Sequence, residues 1–265
     1  MKNFNKLFSK NHLFILFFLT VPFASFAQKY DTVIKNGRII DGSGNPWFSA
    51  DVGIKNGQIA FIGVIEASNA TKVIDAKNQI VCPGFIDVHT HVEDAIQKLP
   101  TADNFIYDGV TSIITGNCGG SEVNLAKFFE ELKQIKLSVN LGSLIGHNSV
   151  RRYVMKNVFR DPTAKEQTQM EALVEQAMKD GAVGLATGLI YIPGTYSKTP
   201  EVIGLAKVAS SYGGIYASHI RDEASKVKEA INEAINIGRE AHVPVEISHF
   251  KISSKPLWGK KQRNT

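Results

Sequence analysis

Only two cysteines, Cys82 and Cys118, occur in 265 residues, so the chain can hold at most one disulfide. Their settings differ. Cys82 follows the apolar run "QIV" and reads as a small packed hydrophobe, whereas Cys118 lies in "TGNCGG" at a strand end, where a thiolate can meet a ligand. Charge of one sign is equally scarce. The formal net charge is +5, but Lys2, Lys6 and Lys10 sit in the N-terminal stretch and Lys260, Lys261 and Arg263 at the extreme C-terminus, which leaves a body close to neutral. No basic stripe with interleaved aromatics is present, which argues against nucleic acid as a partner. Long apolar runs are missing after the N-terminus. The one there, "LFILFFLTVPFASF", is short, broken by Pro22, preceded by lysines and followed by Ser25 and Ala27 ahead of Gln28. Residues 1–27 therefore read as a secretory signal peptide rather than a span. The expectation is an exported chain, periplasmic or secreted, soluble and free of the membrane once the signal is cut.

What remains divides in two by rhythm. Residues 28–83 show short strands with turn punctuation and read as a small β-sandwich domain (its N-terminal part). "IKNGRI" at Ile34 and "IKNGQI" at Ile54 each carry Asn-Gly between apolar residues, a hairpin signal because both positions of a type I′ turn need positive φ. This stretch is too short for a comfortable core and calls for a partner segment.

Residues 84–265 alternate strands with helices. The strands are "GFIDVHTH", "VTSIITGNCG", "SVNLGSLIGH", "VGLATGLIY", "GIYASHIR" and "VPVEISHFK". Asp161-Pro162 and Thr199-Pro200 read as N-cap plus proline pairs, and Gly181 and Gly213 as helix stops. "EASKVKEAINEAINIGREA" is the clearest amphipathic helix. Alternation of this kind predicts parallel pairing and an α/β fold. An eight-stranded (β/α)8 barrel takes about 250 residues, and only six such strands are read here. Either the sheet is small and open or it is an incomplete TIM-like barrel, and the placement of reactive residues favours the barrel.

Strand side chains alternate between faces, so Phe85, Asp87, His89 and His91 of "GFIDVHTH" share one. A single His-Thr-His pair is as easily a solvated strand end. But of the histidines after residue 27, five sit at strand ends: His89, His91, His147, His219 and His249, while His242 lies in a helix-to-strand connection. Cys118 joins them at the second strand. In a parallel barrel all C-terminal strand ends meet on one face, where active sites lie. Imidazole with thiolate suits zinc with an open position, and the chemistry such a centre serves is hydrolysis of an amide-like bond.

Together "PGFIDVHTH", "GNCG", "GLATGLIYIPGTYS", "ASHIRDE" and "ISHFK" resemble the amidohydrolase superfamily, in particular its N-acyl-D-amino-acid deacylase (D-aminoacylase) branch. The resemblance runs from about Tyr30 to Gly259. It implies zinc-dependent release of a carboxylate and a D-amino acid from a small N-acyl amino acid. Where many superfamily members end the fourth strand on a lysine, this chain has "GLATGLIY", and the resemblance assigns the bridging role to Cys118. Cys118, His219 and His249 would hold a tight zinc, and His89 with His91 would line a weaker second position. Lys251 would bind the substrate carboxylate, helped by Tyr191. His147 and Arg221 would orient the metal ligands or serve structure.

The family's general-base aspartate belongs to an eighth strand, which is not read in this sequence. The chain is accordingly expected to be truncated at its C-terminus and a poor enzyme by itself. Two other readings compete. One is a cyclic-amide hydrolase of the dihydroorotase or hydantoinase kind, disfavoured by Cys118, Lys251 and the absent strand-four lysine. The other is a non-catalytic zinc-binding protein. Side-chain and acyl preference and oligomeric state are not legible.

Overall fold

The computed structural model describes residues 29–156 and 158–259. The signal-peptide reading and the basic C-terminal residues lie outside the described residues. The chain falls into two compact units that divide between Pro83 and Gly84.

The first unit is a five-stranded sheet. Its strands are β1 (Tyr30–Ile39), β2 (Phe48–Lys55), β3 (Gln58–Gly63), β4 (Ala70–Asp75) and β5 (Ile80–Val81), in the order β3-β2-β1-β4 with β5 also on β1. The two Asn-Gly segments behave differently. Asn56-Gly57 turns β2 into β3, with both residues at positive φ as a type I′ turn requires. Asn36-Gly37 makes no hairpin. β1 runs straight through it, and the register against β2 shifts between Ile34 and Gly37. The reason is tertiary. Buried Asp51 accepts the Asn36 N–H at 2.9 Å and the Lys35 ammonium at 2.8 Å, which holds Asn36 left-handed as a bulge. The buried core here is Tyr30, Val33 and Ile65, while Ile59, Phe61, Ile62 and Val73 are exposed. Cys82 is exposed as well, which corrects its reading as a packed hydrophobe, and both cysteines are free thiols.

The second unit is parallel throughout. Its strands are β6 (Phe85–Asp87), β7 (Val110–Thr115), β8 (Asn140–Ser143), β9 (Ile145–Gly146), β10 (Gly184–Gly188), β11 (Ile215–His219) and β12 (Val245–Ile247). They form a three-stranded sheet, β6-β7-β8, and a four-stranded one, β9-β10-β11-β12. The third strand read from sequence is divided between them at Leu144. Even there the chain keeps the ladder: Leu144 N–H donates to Thr115 O at 2.8 Å, and Val183 N–H to Ser143 O at 2.9 Å. No closed barrel forms among the described residues.

Among the described residues six α-helices cover this array: α1 (Asp103–Ile106), α2 (Leu125–Lys133), α3 (His147–Met155), α4 (Ala164–Lys179), α5 (Thr199–Ser211) and α6 (Val227–Ala241). On α6 the buried residues are Val227, Ala230, Ile231, Ala234, Ile237, Gly238 and Ala241, the i, i+3, i+4 spacing of one apolar face. Their apolar side chains join Leu185, Tyr216, Leu205 and Met170 in one core, where each fully buried Leu or Ile contributes about 1.5–3 kcal/mol. β10 is buried at all five positions, as a strand covered on both faces must be. The caps sit slightly off their sequence reading. α4 is capped by Thr163 in a capping box with Glu166, not by Asp161, and Lys198 rather than Thr199 occupies the N-cap of α5. Gly181 and Gly213 follow α4 and α5 at positive φ, as helix stops do. No described helix is long and apolar enough to cross a membrane.

Candidate metal centre

Strand ends bring the donors together. His89 and His91 follow β6, Cys118 follows β7, His219 ends β11 and His249 follows β12. Cys118 is the hub. Its Sγ lies 3.5 Å from His89 Nε2, 3.4 Å from His219 Nδ1 and 3.6 Å from His249 Nε2. Two groups have donor atoms all within 4.8 Å of one another, His89–His91–Cys118 and Cys118–His219–His249, with Cys118 common to both. Around one zinc ion, thiolate and imidazole donors stand about 3.5 Å apart, given bonds of about 2.3 and 2.0 Å in a tetrahedron. The residues present therefore fit a soft divalent metal.

The turn carrying Cys118 is built for that placement. Gly116, Cys118 and Gly119 all have positive φ. Asn117, buried, donates through Nδ2 to the carbonyls of Val88 and Ile114 at 3.1 Å each, which locks the turn to the strands bearing His89 and Thr115. Glu93 Oε1 accepts the Gly116 N–H at 2.6 Å. Gly188 closes the other side, since a Cβ there would stand 2.1 Å from Cys118 O. Only glycine permits that approach.

In the metal-free site the surroundings favour the neutral forms of His219, His89 and Cys118. Burial, and then the neighbouring His249, push His219 down to about 4. His89 is lowered by burial and by His249 and His91. Burial, with Glu223 and Glu246 adding negative potential, pushes the Cys118 thiol up to about 11. Neutral imidazoles offer lone pairs at once, whereas Cys118 gives up its proton only to a cation.

The remaining site residues fall into two sets. The Tyr191 ring stands edge-on over His219, centroids 4.5 Å apart, and Lys251 Nζ lies 3.0 Å from His249 Nδ1. His147 and Arg221 go elsewhere. Fully buried His147 bonds Glu201 Oε1 at 2.8 Å. Arg221 pairs with Glu233 and donates to the carbonyls of Thr195 and Ser197. The hydrogen bonds of both run to the scaffold rather than to the candidate metal ligands. Sequence reasoning missed Glu223, buried and 2.7 Å from both His249 Nδ1 and Lys251 Nζ. Its signal was its place in "ASHIRDE", four residues past a ligand. Asn117 and Glu93 were also missed.

Parallel strands carry a Cys-His cluster at their C-terminal ends, the place where α/β barrels of the TIM-like class hold their active sites. The model of the amidohydrolase family matches residues 72–247, and the chain belongs to that family. It is similar to the D-aminoacylase of Alcaligenes xylosoxydans xylosoxydans, 35% identical over 257 residues, covering 88% of this chain and 53% of that protein. The N-acyl-D-glutamate deacylase of the same organism is 36% identical over 255 residues, 88% of this chain and 52% of that protein. Among solved structures, a D-aminoacylase superposes with a TM-score of 0.84 at 35% identity, over 88% of this chain and 54% of that one. The Bordetella bronchiseptica N-acyl-D-glutamate deacylase, complexed with zinc and a phosphonate mimic of the tetrahedral intermediate, gives 0.79 at 35% identity, over 82% and 50%. The chain thus spans about half the length of the relatives it matches. A D-hydantoinase, at 22% identity and a TM-score of 0.58, shares the fold alone.

Proposed function

We propose that the barrel to which these strands belong hydrolyses the amide bond of N-acyl-D-amino acids, and that this chain supplies its metal-and-anchor side. The observation that carries the reading is the convergence of three strand-end donors from separate strands, His89, His219 and His249, on the single Cys118 sulfur. Support comes from relatives named D-aminoacylase, N-acyl-D-glutamate deacylase and N-acyl-D-aspartate deacylase.

Zinc is the metal we assign, held by Cys118, His219 and His249, with His89 and His91 beside Cys118 for a second, weaker ion. When bound, it supplies Lewis-acid polarisation of the scissile carbonyl and an activated water. The chain's own residues bind and orient. Lys251 presents an ammonium to the substrate carboxylate from a half-exposed position. Burial raises Tyr191 above the ordinary phenol value, so it stays a hydrogen-bond donor beside the same group. The proton-transferring aspartate is assigned to another strand of the barrel, so we propose that these residues alone turn substrate over feebly. Export also remains our proposal, resting on residues 1–27.

The test is hydrolysis of N-acetyl-D-amino acids by the complete barrel, with and without Lys251→Met. A charge-assisted contact of about 1.5–3 kcal/mol predicts a fall in kcat/KM of about one to two orders of magnitude. An amide substrate lacking the carboxylate should be little affected. Equal losses on both substrates would remove Lys251 as the anchor. Zinc retention without any turnover would favour a binding protein.

A further inference from the structure

Two loops of the site meet on the side-chain amide of Asn148, the second residue of α3. Only 5% of this residue is exposed. Its Nδ2 donates to Gly188 O at 3.2 Å, and the Tyr191 N–H donates to the same oxygen at 3.1 Å. Asn148 therefore fixes the carbonyl on which the Tyr191 loop folds back. Gly194, further along that loop, packs on the other end of the amide, where a Cβ would stand 2.5 Å from Asn148 Oδ1.

The Cys118 turn arrives at the same oxygen. A Cβ on Gly119 would stand 2.7 Å from Asn148 Oδ1 and 2.7 Å from Gly188 N. Bare backbone is thus required at Gly119 and Gly194 alike, and one amide oxygen faces both. That oxygen meets no donor among the described residues. A buried acceptor without a donor is costly, and its retention calls for a reason. The packing supplies one, since Oδ1 wedges between the Cys118 turn and the Tyr191 loop while Nδ2 pins the carbonyl at the root of the loop. A second tie has a different address. Leu189 N–H donates to His219 O at 3.0 Å and the Tyr191 ring stands over His219, which fastens the loop to β11 and not to the backbone of the Cys118 turn.

We propose that Asn148 is a positioning residue of this centre: its one amide fixes the Cys118 turn and the Tyr191 loop relative to each other. The sulfur proposed to hold metal and the phenol proposed to meet the substrate carboxylate thereby keep their spacing. That consequence rests on the roles proposed above for Cys118 and Tyr191, whereas the mechanical link between the two segments does not.

The experiment compares amide hydrogen exchange in the unaltered chain, Asn148→Ala and Glu93→Ala, all free of metal. The reporters are Gly116, Gly120 and Ser121 in the Cys118 turn and Tyr191, Thr195 and Ser197 in the loop, whose N–H groups are all hydrogen-bonded. Loss of one hydrogen bond predicts exchange about 3–10-fold faster. In Asn148→Ala both sets should accelerate together, with α4 unchanged. Glu93→Ala removes the acceptor of the Gly116 N–H and should speed the turn alone. If Asn148→Ala opens α4 as well, Asn148→Ser, a milder truncation that keeps a hydroxyl, takes its place. Co(II) then supplies a spectroscopic reading, in which the thiolate-to-metal absorption band should weaken in the Asn148 variant and Co(II) affinity fall about 3–10-fold. Acceleration of one segment only, or of neither, overturns the proposal. So does opening of both segments by Glu93→Ala, or an unchanged thiolate band once both segments have opened. Absence of a Co(II) band in the unaltered chain overturns the metal reading instead, and the amides then decide the link between the loops alone.

Discussion

Arg221 and Glu233 meet as a fork, Nε to Oε2 at 2.8 Å and Nη2 to Oε1 at 2.9 Å. The other face of the same guanidinium donates to Thr195 O at 3.2 Å and Ser197 O at 3.0 Å. One side chain therefore ties the loop after β10, which carries Tyr191, to helix α6.

A lysine at 221 keeps the charge but cannot span both partners, because its ammonium is a single point rather than a planar fork. Arg221→Lys should weaken the attachment by about 1.5–3 kcal/mol. Amide hydrogen exchange over residues 190–198 should accelerate roughly ten- to a hundredfold as that loop opens locally, with α4 unchanged. Unaltered exchange across the loop would show that its own contacts hold it.

Metal content should depend unequally on the donors. Cys118 belongs to both groups, whereas His91 belongs to one and is exposed. Cys118→Ala should abolish metal retention, while His91→Ala should still carry one ion per chain through desalting. Elemental analysis decides, and equal loss from both variants rules out one tight and one weak position.

What could be read beforehand, and what could not, follows from where each interaction is encoded. The strand-end donors were legible because strand periodicity and parallel topology are local signals. Asn56-Gly57 was legible for the same reason. Asn36-Gly37, identical in letters, became a bulge because Asp51, fifteen residues on, claims its N–H. The capping box Thr163–Glu166 was present in the sequence but was masked by the stronger-looking Asp161-Pro162. Glu223 carried only a local signal, its place four residues past His219. Its proximity to His249 and Lys251 exists only once the turn after β11 brings it beside side chains from the next strand.

The metal-free protein should lose stability on mild acidification. His219 is held down to about 4 in the folded state, but protonates near 6.5 when unfolded. Its folded value is the lower one, so its contribution is whole above about pH 6.5 and is lost as pH falls towards about 4. His89 is shifted in the same direction. Thermal melts in chelator should show Tm falling across that window, and His219→Gln should flatten the slope. A slope identical in the variant would assign the acid sensitivity to other groups.

The last expectation concerns the buried charge in the scaffold. Glu201 Oε1 accepts from His147 Nε2 at 2.8 Å and Arg151 Nε at 3.0 Å, and both Arg151 and His147 are fully buried. Arg151 also donates to Val158 O, so its guanidinium is partly satisfied by the chain, but its charge is balanced by Glu201. Removing one partner of such a pair leaves an uncompensated charge and costs about 3–5 kcal/mol. Glu201→Gln keeps the shape and one acceptor, so its cost should fall towards the lower end, with Glu201→Ala above it. Replacing both partners by apolar residues removes the stranded charge as well. Arg151→Met combined with Glu201→Leu should therefore be more stable than Glu201→Ala by urea denaturation, even though it deletes more hydrogen bonds. Additive losses in the double variant would mean that the network stabilises by its individual bonds rather than by balancing charge.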